Sequence, residues 1–427
     1  MTGGDKLVSY RCSGIPRPSQ NQTPVSGGAH ASHTHQAGIY WIGVNDRTTD
    51  LFEGMWPISQ EGVSYNSYLI LDEKKVLIDL AHSGSGSALL QQVYDLIDPA
   101  ELDYVVLNHL EPDHTGAIRL LRNLAPRAEF LMSAKAVPML NAFYGITERV
   151  RAVADGEELQ LGSKTLQFLA APFVHWPETM VTYEKESRVL FSCDAFGGYG
   201  ALRGAIFDGD CCDMAFYERE SLRYYVNIVA RFSGPTLKAI DKLSGVPIDT
   251  IAPSHGLVWR NDPGRIVSLY QEWARLATEP APAGVTLMYG SMYGNTEALM
   301  NAVAVGVSRT GLPLDIFDVA RTHSAYILPS LWTKSGVLVG APTYEVSLFP
   351  PMAQALHMAE HKRIMRRKAG YFGSYGWSKG AFREAQEITA KLDWEWGEPL
   401  EVNGGPTREA LREAERFGEA FARSLLG

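Results

Sequence analysis

The stretch LNHLEPDHTGA, residues 107–117, places His109, Glu111, Asp113 and His114 within six consecutive positions. It follows YVVL, a short apolar run with strand character. Any one of these side chains has a plain explanation, since histidines and acids are common on solvated loops. Four potential metal ligands where a strand runs out have a different one. A solvated loop has no need of that density, and a metal cradle does.

Working outward, the chain divides by composition and rhythm. Residues 1–36 include GIPRPSQNQTPVSGGAHASHTHQ, rich in Pro, Gly and Ser and without periodicity, and are expected to be a flexible tail. His30, His33 and His35 in it could catch metal ions adventitiously, and a polar tail is the simpler reading. Across 37–276, GIYWIGV, VSYNSYLIL, KKVLIDL, DYVVLN, AEFLMS, KTLQFLAAP, TMVTYEK, SRVLFSCD and TIAPSH read as strands. SALLQQVYDLI, TGAIRLLRNLA and GRIVSLYQEWARLA read as helices among them. That pattern predicts an α/β unit of two sheets sandwiched between helices. ATEPAPAG, residues 277–284, is a linker by composition.

Residues 285–427 alternate strictly. VTLMYG, PLDIFDVA, GVLVGAPT, AGYFGSYG and PLEVN are strands, each followed by a helical stretch. The last helix places Leu411, Ala414, Phe417, Phe421 and Leu425 on one face. Such alternation predicts a doubly wound parallel sheet of flavodoxin-like size. Its first strand runs into Ser291, Met292, Tyr293, Gly294, Asn295 and Thr296 and then a helix. Backbone N–H groups at a helix N-terminus, with hydroxyl side chains, make an anion site. Neither GxxxxGK[ST] nor GxGxxG is present, and the loop holds no cation, which fits a phosphate bound by neutral donors. Pro342, Thr343 and Tyr344 end the third strand, and Ser374, Tyr375, Gly376 and Trp377 end the fourth. All lie on the rim where such sheets bind ligands, and the aromatics offer flat faces, so FMN is the expected cofactor.

Bulk properties exclude other classes. A net charge of −9 argues against a general nucleic-acid or anionic-membrane binder. No apolar run has the length of a membrane span, and, with no charged-then-apolar pattern in the opening residues, no signal peptide is expected. The cysteines Cys12, Cys193, Cys211 and Cys212 contain no CxxC and no disulfide framework, so a reducing, cytoplasmic compartment is expected. The basic run from His361-Lys362-Arg363 to Arg366-Arg367-Lys368 is read as the solvated end of a helix.

With both halves read, the chain resembles the flavodiiron proteins, from about residue 37 onward. HxExDH is matched by His109, Glu111, Asp113 and His114, and the loop SMYGNTE is equally typical. The later family ligands are matched by His175 in FVHWPE, Asp194 in FSCDAFGGYG and His255 in APSHG. The middle of PTYEVSLFPPM is a looser match. The resemblance implies a metallo-β-lactamase-like αββα domain with two non-haem irons, joined to a flavodoxin-like domain with FMN. It implies one iron on His109, Glu111 and His175, the other on Asp113, His114 and His255, and Asp194 bridging. Seven ligands exceed the needs of one tetrahedral ion and suit two metals sharing a bridge. In hydrolytic relatives of the fold the first motif reads HxHxDH around zinc. Glu111 in place of the second histidine adds a hard anionic oxygen that favours iron.

The implied activity is reduction of O2 to water or of NO to N2O, with two electrons from the iron pair and two from reduced flavin. A head-to-tail homodimer, or a dimer of dimers, would bring FMN of one chain to the irons of the next. Without rubredoxin-like CxxC pairs or a fused reductase, a separate donor is expected, a rubredoxin or a flavin reductase. The alternatives are a metal-dependent hydrolase fused to a flavodoxin, and a non-catalytic electron-transfer flavoprotein. HxExDH and the FMN loop weigh against the first, the complete ligand set against the second. A sensor using the His-containing tail is a third idea that nothing in the core requires.

Overall fold

The computed structural model describes residues 33–36 and 38–427. Its first half is the expected pair of sheets. One has seven strands in the order His33–Gln36, Ile39–Trp41, Tyr68–Leu71, Lys75–Ile78, Tyr104–Val106, Glu129–Ser133 and Val150–Val153. The other has five, in the order Glu158–Gln160, Thr165–Ala170, Met180–Glu184, Val189–Cys193 and Thr250–Pro253. Met180–Glu184 and Val189–Cys193 are buried along their whole length. Val189–Cys193 accordingly reads as a nearly continuous apolar run, whereas Met180–Glu184 also buries Thr182 and Glu184.

The stretch expected to be a tail requires a correction at its end. His33–Gln36 is a strand, antiparallel to Ile39–Trp41 with His33 opposite Trp41. The polar sequence HTHQ carries no hydrophobic pattern, but an edge strand can be held by its ladder alone. Residues 1–32, with His30, lie outside the described residues.

A second departure is the segment 214–243, which the sequence reading left unassigned. Helix Met214–Tyr224 passes through a π turn, Tyr225–Val229, and a 3-10 turn, Ala230–Phe232, into helix Ser233–Leu243. Every residue of the π turn is buried. Lys362 from the second half donates to the Asn227 carbonyl there. Its ammonium also stands 4.8 Å over the Trp56 ring. Lys362 is thus a buried clamp between the halves. Arg367 is buried as well, and its guanidinium donates to the Leu331 and Trp332 carbonyls, which end helix Ser324–Thr333, and to that of Met365. The basic run is therefore solvated only in part. Two of its cations donate to backbone carbonyls, Arg367 at a helix end and Lys362 within the π turn.

The second half is the doubly wound sheet. Leu314–Asp318, Val285–Tyr289, Gly336–Gly340 and Lys368–Tyr375 lie side by side and parallel. Leu400–Asn403 and the short Glu395–Trp396 pair parallel with the last of these. The order 2-1-3-4-5 puts every strand's C-terminal end on one rim and the switch point between the first and third strands. The long helices Asn295–Ser308 and Arg408–Arg423 close one face. They pack through two glycines. A Cβ on Gly306 would meet the Glu415 carbonyl oxygen at 1.9 Å, and one on Gly418 would meet that of Val303 at 2.1 Å. Between the halves, Trp332 Nε1 donates to the Trp273 carbonyl, and buried apolar side chains form one continuous core across the seam.

Candidate functional site

Four strand ends meet at one edge of the two-sheet half. His109 and Glu111 follow Tyr104–Val106, and Asp113 and His114 stand on the short helix Pro112–Thr115. His175 lies in the connection between Thr165–Ala170 and Met180–Glu184. Asp194 follows Val189–Cys193 directly, and His255 follows Thr250–Pro253, which runs parallel beside it. Residues far apart in sequence thus arrive at the same point because they end neighbouring strands.

The two carboxylate oxygens of Asp194 face different companies. Oδ2 is 3.5 Å from His109 Nε2 and 3.4 Å from His175 Nε2. Glu111 Oε2 completes that group, 3.2 Å from His109 and 3.1 Å from His175. Oδ1 of Asp194 is 3.0 Å from His114 Nε2 and 3.4 Å from His255 Nε2. Asp113 completes the second group, 3.4 Å from His114 and 3.2 Å from His255. Two ligand atoms on one metal, each about 2.1 Å from it, stand roughly 3.0–3.4 Å apart. The spacing in both groups is that of shared coordination.

The donor atoms also pass a satisfaction test. Asp113 Oδ1, His114 Nε2, Asp194 Oδ2 and His255 Nε2 are buried without a hydrogen-bond partner. Leaving polar atoms so costs several kcal/mol in all, about 1–3 each, unless something else satisfies them. All four histidines turn Nε2 inward, where an ion's positive charge would meet lone pairs and carboxylates. The field is strongly anionic. Burial opposes charge on His109, but hydrogen bonding to Glu111 and Glu178 and the charge of Asp194 overcome it and raise its pKa to about 10. Burial likewise opposes charge on Asp194, yet His114, His175 and His255 hold it well below the carboxylate range. A cationic centre of charge well above one is what such a cradle suits.

A surrounding layer orients these side chains, and sequence reading missed it. Glu178 Oε1 is 2.7 Å from His109 Nδ1 and also accepts from the Leu110 N–H at 3.1 Å. Ser64 O lies 2.7 Å from His255 Nδ1, while Ser64 Oγ accepts from the Gly256 N–H. Asn66 donates to the carbonyls of Pro253 and Gly256, so the VSYNSY segment grips the His255 loop from both sides. Tyr224, in the unassigned helix, donates from its hydroxyl to Asp194 Oδ1 at 2.8 Å. Glu178 had a signal: it closes the same FVHWPE stretch that holds His175. Tyr224 had none, being 30 residues from its partner in a segment of mixed pattern.

On the second half, the expected loops share the C-terminal rim. Ser291 Oγ accepts from the N–H groups of Gly294 and Glu297, at 3.0 and 3.4 Å. Gly294 takes φ +89° as the residue before helix Asn295–Ser308 and has no side chain to cap it, so Ser291 takes only the Glu297 N–H of the first turn. The N–H groups of Asn295 and Thr296 remain to face an anion. Thr296 is buried, with its hydroxyl 3.4 Å from Ser374 Oγ, which joins the first loop to the fourth. Thr343–Tyr344 and Ser347–Leu348 form a small hairpin, and Gly380 packs against its Val346 carbonyl so closely that a Cβ would stand 1.9 Å away. Pro342 is buried, Met292 and Tyr344 are exposed, and Tyr375 and Asn295 are half-buried. Tyr293 is 90% and Trp377 81% exposed, so neither ring packs on the protein itself. A fifth loop joins the rim: Asn403 Nδ2 donates to the Gly376 carbonyl at 2.6 Å. Its sequence, NGG after the last strand, is a readable turn signal that the sequence reading did not use.

Comparison with known proteins agrees with both halves. The family model described as ODP family beta lactamase matches residues 63–256, and that described as Flavodoxin matches residues 287–418. The anaerobic nitric oxide reductase flavorubredoxin of Escherichia coli strain K12 is 34% identical over 391 residues, covering 90% of this chain and 81% of that protein. The rubredoxin oxygen:oxidoreductase structure from Desulfovibrio gigas superposes with a TM-score of 0.87 at 28% identity, over 93% of this chain and 99% of that one. The flavodiiron protein structure from Giardia intestinalis superposes with a TM-score of 0.88 at 26% identity, over 94% and 98%. The αββα and flavodoxin-like architecture expected from the sequence is the one these structures share, and the chain belongs to the flavodiiron protein family.

Proposed function

We propose that this chain is an oxidoreductase that reduces O2 to water, NO to N2O, or both, at a diiron centre fed by FMN. The observation that carries the reading is Asp194, with one oxygen turned to each of two complete ligand groups. In this reading His109, Glu111 and His175 hold one iron, Asp113, His114 and His255 hold the other, and Asp194 bridges. When bound, the iron pair and FMN supply the redox chemistry. The chain supplies position. Glu178 and the Ser64 carbonyl accept the Nδ1 protons of His109 and His255, which fixes each Nε2 lone pair inward. Tyr224 holds Asp194 in register by its hydrogen bond. His109, Asp194 and His255 are closed to solvent, while the side chains of Glu111 and Asp113 are 15% and 12% exposed. A diatomic substrate would therefore arrive over Glu111 and Asp113. Ser291 and Thr296, with the helix start at Asn295, would hold the FMN phosphate; Tyr344 and Trp377 would lie by the ring.

Phe143 and Phe173 are exposed large hydrophobics beside the metal edge, Phe143 packing on Trp176 and Phe173 two residues from His175. Trp377 and Tyr293 are exposed on the opposite half's rim. A C2 pair in head-to-tail order would cover both surfaces twice and bring each FMN to the other chain's irons. Two such pairs could assemble further. The electron donor would be a separate rubredoxin or a flavin reductase, in a reducing cytoplasm. In the structure, Cys193, Cys211 and Cys212 are free thiols and, among the described residues, no helix is long and apolar enough to cross a membrane.

The test is anaerobic turnover of the reduced protein with O2 and with NO separately, after iron and flavin are quantified. Two irons and one FMN per chain with rapid consumption of either gas are expected. Zinc in place of iron, with thioester hydrolysis and no gas consumption, would overturn the reading.

A further inference from the structure

The basic run that ends helix Pro350–His361 lines a cavity of about 660 Å³ at the seam between the two halves. Its walls come from the helical run around Arg231, the start of the linker at Ala277, and the second half at residues 357–365 and 391–392. Four cationic residues line it, Arg231, Lys362, Arg363 and Lys391, against one carboxylate, Glu360, with the Lys362 ammonium turned to the Asn227 carbonyl and the Trp56 ring. The whole chain carries −9, so this concentration of positive charge is local and runs against the average.

The existing partners leave that charge largely uncompensated. Lys391 approaches Glu360 at 3.3 Å and remains mostly exposed, and His357 shares the same carboxylate at 3.7 Å. Arg231 and Lys362 donate to carbonyls, of His361 and Asn227, which orient but do not neutralise them. Arg363 has no carboxylate partner among the described residues. The consequence is visible on His361: burial, then the charges of Lys362 and Arg231, push its pKa down. Lys362 is itself lowered to about 8, by burial first, with Glu53 opposing the shift and Arg231 adding to it.

The cavity is remote from the cofactor rim. It sits where strand Lys368–Tyr375 begins, and the rim where it ends; eight residues at ~3.3 Å each make about 26 Å. A recess of this volume at a domain seam is the size and setting of a small-molecule site. Several spread cations rather than one suit a ligand with several charges, and guanidinium groups suit phosphate oxygens. We propose that this cavity binds a phosphorylated small molecule through a chain of two or more phosphates.

The probes are inorganic pyrophosphate, ADP and adenosine, titrated calorimetrically into the full-length protein loaded with iron and FMN, so that the flavin phosphate site is filled. Pyrophosphate, ADP or both should bind, more weakly as salt rises, and adenosine should not. Binding of pyrophosphate alone or of both assigns the site to the phosphate chain; binding of ADP alone assigns it to a nucleotide. The double variant Arg363→Glu, Lys391→Glu should weaken binding about tenfold or more while FMN and iron contents stay unchanged. Failure of both phosphates to bind at millimolar concentration, binding of adenosine as tight as ADP, or binding indifferent to the charge reversal would overturn the proposal.

Discussion

Glu178 Oε1 lies 2.7 Å from Nδ1 of His109, on the side of the ring facing away from Asp194. Both groups are fully buried. The carboxylate therefore sets which nitrogen carries the proton and how the ring stands. Glu178→Ala should lower metal affinity roughly 10- to 100-fold, with FMN retained, because an outer carboxylate of this kind orients and strengthens its histidine. Glu178→Gln keeps an acceptor oxygen and should recover part of the loss. Iron titration followed by absorbance reads the effect; equal affinity in wild type and the Ala variant would refute the orienting role.

The helix pair of the second half offers a test of packing. Gly418→Ala places a methyl where only about 2.1 Å separates it from the Val303 carbonyl oxygen. Helix backbones at this distance cannot yield by a rotamer change, so overpacking should cost about 1–3 kcal/mol or more. Heating should release FMN fluorescence several degrees earlier, with iron content unaltered at room temperature. A melting curve like that of the wild type would show that the two helices are not so close.

The flavin loop can be tested by its hydroxyls. Ser291→Ala with Thr296→Ala removes the acceptor for the N–H groups of Gly294 and Glu297 and a buried hydroxyl facing Ser374. FMN affinity should fall roughly 10- to 100-fold, on the scale of two hydrogen bonds near a charged group. Equilibrium dialysis of the apoprotein measures it. Unchanged affinity would place the phosphate elsewhere.

What was legible in the sequence follows from how local each signal is. HLEPDH announces itself because its four ligands fall within six positions, and the alternating strands of residues 285–427 because each repeats a period. His175, Asp194 and His255 are single residues after strands, and the family pattern was needed to pick them out. Tyr224 and Ser64 act through contacts spanning 30 and 191 residues, which no local pattern encodes. Lys362 and Arg367 read as solvated because burial of a cation depends on carbonyls from other elements. His33–Gln36 read as tail because a polar edge strand is specified by its neighbour, not by its own side chains.

Asp194 stands between the two ligand groups. Among the described residues it is the one acid that faces both ligand groups, with Oδ2 3.4 Å from His175 and Oδ1 3.0 Å from His114. Asn in its place keeps the shape, loses the negative charge, and bridges cations poorly. Measuring iron and FMN per chain in Asp194→Asn, together with O2 and NO consumption, is the most direct test. The expected protein is yellow, with FMN near one per chain and reducible, iron mostly lost, and almost no gas consumption. An Asp194→Asn protein with two irons per chain and normal turnover would contradict the bridge and the ligand map built on it.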